Sequence, residues 1–187
     1  MVLNNSLNKG SKRNDTPTPR WLCKFLFDLL KDQNFKILLD PCCGDRRLTE
    51  LFEGCQVINY EIKEGTDFLE ETNPIPNVDC VIVNPPFNVG RGRKLSVEVF
   101  LDKIFELVGK DVPILMITPM GLRLNVYHKN KKKAQQQSRR LVKMREEYPP
   151  ITTIISLPAD TFEDTKFHAE IVCFNTPFLK PHYFIPA

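Results

Sequence analysis

The chain has 187 residues, 42% hydrophobic and 26% charged, which suits one folded domain with a buried core and excludes a disordered chain or two ordinary domains. No apolar run reaches the roughly 20 residues that cross a bilayer, and the polar stretch 1–15 lacks the apolar segment of a secretory signal. A cytoplasmic protein with a loose N-terminal arm and no membrane partner is expected. The net charge of +3 conceals an asymmetry, because between 121 and 149 nine Lys and Arg residues meet only Glu146 and Glu147, leaving the rest of the chain acidic. Such a face points to a polyanionic partner, or else forms a solvated helix surface.

In chain order, Trp21, Leu22, Phe25, Leu26, Leu29 and Leu30 recur at helical spacing. Thr18 and Pro19 supply a cap and a first-turn residue for that helix. The apolar run 35–39, ending at Asp40, reads as a buried strand. Leu48, Leu51 and Phe52 follow at helical spacing, then 57–60 and 78–83 read as strands. A helix is expected over 97–108 and a strand over 112–118. After the basic segment come two further strands, 151–157 and 169–174, joined by a polar loop. Strands alternating with helices and closing in a strand pair predict an α/β, Rossmann-like, three-layer domain. Its sheet should be mostly parallel, flanked by helices, with a C-terminal antiparallel pair. The expected boundaries are an arm at 1–15, a domain at 16–178 with a basic insertion at 121–149, and a tail at 179–187.

The six cysteines form no C-x-x-C pair, and the three histidines are scattered without an evident nucleophile. Buried free thiols in a reducing compartment are expected, with no metal site.

In such sheets ligands bind beyond the carboxyl ends of strands, at the switch in strand order. The first strand runs into Asp40, Pro41, Cys42, Cys43 and Gly44. Gly44 lets backbone approach a ligand, and Asp40 can bind a cationic or hydroxyl group. Glu61, at the next strand's tip, can take both hydroxyls of a ribose, or is a surface acid with no ligand. Asp67 and Phe68 pair a carboxylate with an aromatic face, as an adenine ring requires, or are a turn acid and a core residue.

The sharpest signal is Asn84-Pro85-Pro86-Phe87. Two prolines directly after a strand fix the backbone and remove two donors. The rigid turn presents acceptors, the Asn84 side-chain oxygen and the Pro85 carbonyl, which can hold both hydrogens of an amino group, or it merely ends the strand. Phe87 offers a face for a planar base.

The order of these elements resembles the γ-class DNA adenine-N6 methyltransferases, which carry an Asn-Pro-Pro-Tyr/Phe motif. The resemblance runs from about Thr16 to Pro177 and implies a Rossmann-like S-adenosylmethionine-dependent methyltransferase. It assigns Thr18, Pro19, Asp40, Pro41, Gly44, Glu61, Asp67, Phe68 and Asn84 to the S-adenosylmethionine pocket. It assigns Asn84, Pro85, Pro86 and Phe87 to the reaction site. The implied reaction is methyl transfer to the N6 amino group of adenine in DNA. Asn-Pro-Pro-Phe/Tyr also occurs in RNA guanine-N2 and protein glutamine methyltransferases, and a catalytically silent nucleic-acid-binding subunit is a further alternative.

Two departures stand out. The family usually has a second glycine at about Arg46, and its sequence-specific members add a DNA-recognition domain that is not seen here. DNA contacts are then expected from Arg91, Arg93 and Lys94 beside the reaction site. Others are expected from Lys129, Lys131, Lys132, Lys133, Arg139 and Arg140 in the basic segment. A separate specificity subunit or a second copy of the chain would serve as partner, and a restriction-modification system or mobile element as setting.

Overall fold

The computed structural model describes residues 16–87, 95–123, 141–162 and 168–185. The N-terminal arm and all nine of the cations expected on nucleic acid, from Arg91 to Arg140, lie outside the described residues.

Seven strands form one sheet: β1 (Ile37–Asp40), β2 (Gln56–Asn59), β3 (Cys80–Val83), β4 (Ile114–Pro119), β5 (Ile151–Ser156), β6 (Ala169–Phe174) and β7 (His182–Phe184). Their order is β2-β1-β3-β4-β6-β5-β7. The β2-β1-β3-β4 half is parallel, while β6 runs antiparallel to both β4 and β5. That is the mostly parallel sheet with a C-terminal antiparallel pair that the strand pattern predicted. Helix α1 (Arg20–Leu30) and helix α2 (Ser96–Leu107) contribute to opposite sides of its core.

Two-sided burial explains why the central strands are continuously apolar rather than alternating with polar residues. Leu38, Cys80, Ile82, Leu115, Ile117, Ile171 and Cys173 pack with Leu22, Leu26 and Leu30 of α1. Their neighbours Leu39, Val81, Val83, Ile114, Met116, Val172 and Phe174 pack with Phe100, Leu101 and Ile104 of α2. Each fully buried side chain of this size contributes about 2 kcal/mol. At the start of α2, Glu98 Oε2 accepts the Leu95 N–H at 2.9 Å, closing the first turn as a capping box does.

Three expectations are corrected. Residues 48–52 form a succession of turns, with Thr49 and Phe52 N–H groups bonded three residues back. Only Leu48 and Phe52 of that stretch reach the core, while Leu51 is exposed, so no continuous apolar stripe sustains a helix. Second, the tail expected at 179–187 supplies β7, which runs parallel to β5 with Tyr183 opposite Ile155. Third, Thr18 does not cap α1: Pro19 occupies that position, and no side chain caps the helix.

Among the described residues no helix is long and apolar enough to cross a membrane. The six cysteines are free thiols.

Candidate active site at the carboxyl ends of the parallel strands

The strand order reverses at β1, which has β2 on one side and β3 on the other. A crevice at the carboxyl ends of these strands is where α/β sheets bind ligands. Asp40, Glu61 and Asn84 are located there, each at or just past the end of its strand.

Asp40 is fully buried. Its Oδ1 accepts the Cys42 N–H at 3.2 Å, but its Oδ2 has no partner. Burial pushes its pKa up to about 7; the Cys42 N–H opposes that shift and the Glu61 charge adds to it. A buried carboxyl oxygen without a partner is costly, and such groups are rare unless a ligand or water completes them.

The loop after β1 is laced to the tip of β2. Cys43 N–H donates to the Tyr60 carbonyl at 3.0 Å, and Gly44 N–H donates to Glu61 Oε2 at 2.9 Å. The other Glu61 oxygen accepts the Lys63 N–H at 2.9 Å. Gly44 has φ +54, and a Cβ placed there would meet nothing within 4 Å, so the loop faces open space. Arg46 shares that left-handed conformation at φ +62, which is why a glycine suits the position. Its guanidinium pairs with Glu64, both side chains being about half exposed, so it points outward and not into the loop.

Asp67 Oδ1 accepts the Leu69 N–H at 2.9 Å. The preceding Thr66 is tied to Glu61, whose N–H donates to its hydroxyl at 2.9 Å. Phe68, expected to cover an adenine, is only 1% exposed. Its ring lies parallel to Phe100 at 6.2 Å and edge-on to Tyr60 at 5.2 Å. The core, rather than a ligand, fills those ring positions. The exposed apolar side chain at this tip is Ile62, 52% accessible; it follows Glu61 outside any periodic pattern, so nothing in the sequence marks it.

The reaction turn is held from two sides. Cys42 Sγ donates to the Asn84 carbonyl at 3.3 Å, tying the β1 loop to the end of β3. Burial, then the charges of Asp40 and Glu61, push this thiol well up, keeping it a neutral donor. The Asn84 side-chain amide donates to the Thr16 carbonyl at 3.3 Å and to Thr18 Oγ1 at 3.1 Å. Pro85 is buried and Pro86 half-buried. Phe87 is half-buried and touches the core on both sides of the sheet.

The ends of the basic segment are anchored. Arg123 Nε lies 2.9 Å from both oxygens of Glu170, with a further contact at 2.8 Å, and the Glu170 side chain is 2% exposed. A lone Glu within the apolar run Ala169–Phe174 was the sequence signal for such a partner. At the other end Lys143 Nζ and Tyr148 Oη both reach Asp102 Oδ1 at 2.6 Å. Arg123 and Lys143 are therefore engaged within the protein. A surface depression of about 250 Å³ beside Tyr148 is lined by Phe105, Lys110 and three acidic residues. None of the strand-tip residues line it, and its lining resembles no nucleotide site.

The chain has the class I S-adenosylmethionine-dependent methyltransferase fold. Among solved structures it is similar to a Listeria monocytogenes protein described as a class I S-adenosylmethionine-dependent methyltransferase, at 16% identity and TM-score 0.56, covering 94% of this chain and 67% of that one. It is also similar to the type IIG restriction endonuclease BpuSI, at 16% identity and TM-score 0.62, covering 86% of this chain and 25% of that one. A third similarity is to the M protein of the type I restriction enzyme EcoKI, at 16% identity and TM-score 0.58, covering 88% of this chain and 44% of that one. The chain thus spans under half the length of either restriction-system protein. No protein-family model matches the sequence, and a search of curated proteins returns no match.

Proposed function

We propose that the protein is an S-adenosylmethionine-dependent methyltransferase acting on the N6 amino group of adenine in DNA. The observation that carries this reading is the convergence of Asp40, Glu61 and Asn84 at the carboxyl end of the sheet, joined through Gly44 and Cys42. The residues fit the cofactor: the unpartnered Asp40 Oδ2 suits its ammonium group, and Glu61 suits its ribose hydroxyls. Asp67 and Ile62 suit its adenine edge and face. Thr18, Pro19, Pro41 and Gly44 complete the surround, and Phe68 backs it from the core. When bound, S-adenosylmethionine supplies an electrophilic methyl group.

The chain's own part is orientation and electrostatics. Asn84 Oδ1 and the Pro85 carbonyl accept the two hydrogens of the amino group and aim its lone pair. Phe87 stacks on the base, which must leave the duplex to reach the turn. As the nitrogen gains the methyl it becomes a strong acid, so its surplus proton leaves to water without a dedicated base. Arg91, Arg93 and Lys94, next in sequence after the turn, and the cations from Lys129 to Arg140 hold the phosphates. Their density favours nucleic acid over a protein acceptor. A separate specificity subunit or second copy would supply target choice.

Transfer of tritiated methyl groups to DNA, ribosomal RNA and a protein mixture in parallel tests the acceptor. Label recovered as N6-methyladenine in DNA is expected. Label in protein alone overturns the nucleic-acid assignment, and no binding of S-adenosylmethionine in a titration leaves only a silent, binding-type protein. Neutralising Lys131, Lys132 and Lys133 together should lower the salt slope of DNA affinity by about 2–3, measured by fluorescence anisotropy across a salt series.

A further inference from the structure

A primary amide is nearly symmetric in shape, and its two ends differ in chemistry: one accepts, the other donates twice. Only the oxygen end is useful to an amino group, since the flipped amide would set donor against donor. Asn84 therefore needs something that fixes its orientation. The Thr16 carbonyl can only accept, so the end facing it at 3.3 Å must be the nitrogen. Thr18 Oγ1, at 3.1 Å, takes the second hydrogen. With both hydrogens engaged, the oxygen is directed away from the N-terminal segment.

Thr18 is well built for such a task. It is 3% exposed, and its carbonyl accepts Arg47 Nη1 at 3.2 Å. Arg47 is in turn paired with Asp45 of the loop after β1. Although Thr18 stands next to the helix start, α1 has no side-chain cap bond, so the hydroxyl is left for Asn84, 66 residues away in sequence.

We propose that Thr18 is a positioning residue that holds the Asn84 amide in the orientation selected by the Thr16 carbonyl, so that the amide oxygen meets the acceptor nitrogen. This rests on the reading of Asn84 given above and assigns Thr18 a task beyond lining the cofactor pocket. Thr18→Val keeps the shape and removes the acceptor; Thr18→Ser keeps the oxygen. Each is compared with wild type and Asn84→Ala for kcat on DNA, calorimetric Kd for S-adenosylmethionine, and melting temperature.

The expected result is a fall in kcat of about tenfold for Thr18→Val, larger than any accompanying loss of S-adenosylmethionine affinity, and recovery of kcat in Thr18→Ser. Unchanged kcat in Thr18→Val beside an inactive Asn84→Ala overturns the positioning role and leaves the methyltransferase reading standing. Parallel loss of kcat and cofactor affinity, not rescued by serine, overturns it also, marking Thr18 as pocket wall. A fully active, folded Asn84→Ala overturns the reading of the turn itself.

Discussion

The amide of Gly44 donates to Glu61 Oε2 at 2.9 Å, joining the loop after β1 to the tip of β2. This bond and the one from Lys63 N–H leave each carboxylate oxygen with lone-pair capacity for a hydroxyl while holding the group still. Glu61→Ala should weaken S-adenosylmethionine binding by about 10- to 100-fold, as loss of charge-assisted hydrogen bonds does. Calorimetric titration measures it; an unchanged Kd removes Glu61 from the pocket.

Asp40 makes the free protein sensitive to pH. Its folded-state pKa of about 7 exceeds that of an unfolded Asp, so between these values the folded state binds more protons. Its contribution to stability is fully present below about pH 4 and is lost as pH rises through about 7. Asp40→Asn should abolish that slope and raise the stability of the ligand-free protein at pH 8 by on the order of 2 kcal/mol. Binding of a cationic ligand beside Asp40 demands the ionised form, so affinity in wild type should climb with pH through 7, with proton uptake by the buffer. Urea melts and calorimetry in two buffers of different ionisation enthalpy follow both effects, and a flat profile contradicts the assignment.

Arg46 holds a left-handed backbone at φ +62 where a glycine would sit without strain. Arg46→Gly forgoes only an exposed ion pair with Glu64, an interaction that contributes little. The substitution should stabilise the protein by about 0.5–1 kcal/mol after the extra chain entropy of glycine is counted. A lower melting temperature would show that the Glu64 pair matters more than the backbone.

Among the ion-paired carboxylates of the described residues Glu170 is the most buried, with Arg123 bonding both oxygens. Arg123→Met leaves that buried charge alone and should destabilise the fold by about 3 kcal/mol, whereas the double variant Arg123→Met with Glu170→Met should recover most of the loss. Chemical denaturation of wild type, Arg123→Met, Glu170→Met and the double variant gives the coupling; a double variant that loses as much as Arg123→Met alone rules it out.

The period of the apolar residues by itself determined the α/β class, the two core helices and the places of six of the seven strands along the chain, because burial on both faces leaves a readable pattern in Cys80–Val83 and Ile114–Pro119. The candidate residues just past strand ends were legible for the same reason. Where local pattern competed with tertiary packing it misled. Residues 48–52 had a helix's spacing but only two apolar side chains in the core. Phe68 looked like a ligand face, yet its ring meets Phe100 and Tyr60. Thr18 looked like a helix cap, and its hydroxyl serves a residue far along the chain. Partners such as Thr18 with Asn84, Cys42 with Asn84 and Arg123 with Glu170 leave no periodic trace, since a hydrogen bond depends on where two segments meet in space. Only the folded sheet, by bringing distant segments together at its carboxyl end and along β6, decided those pairings.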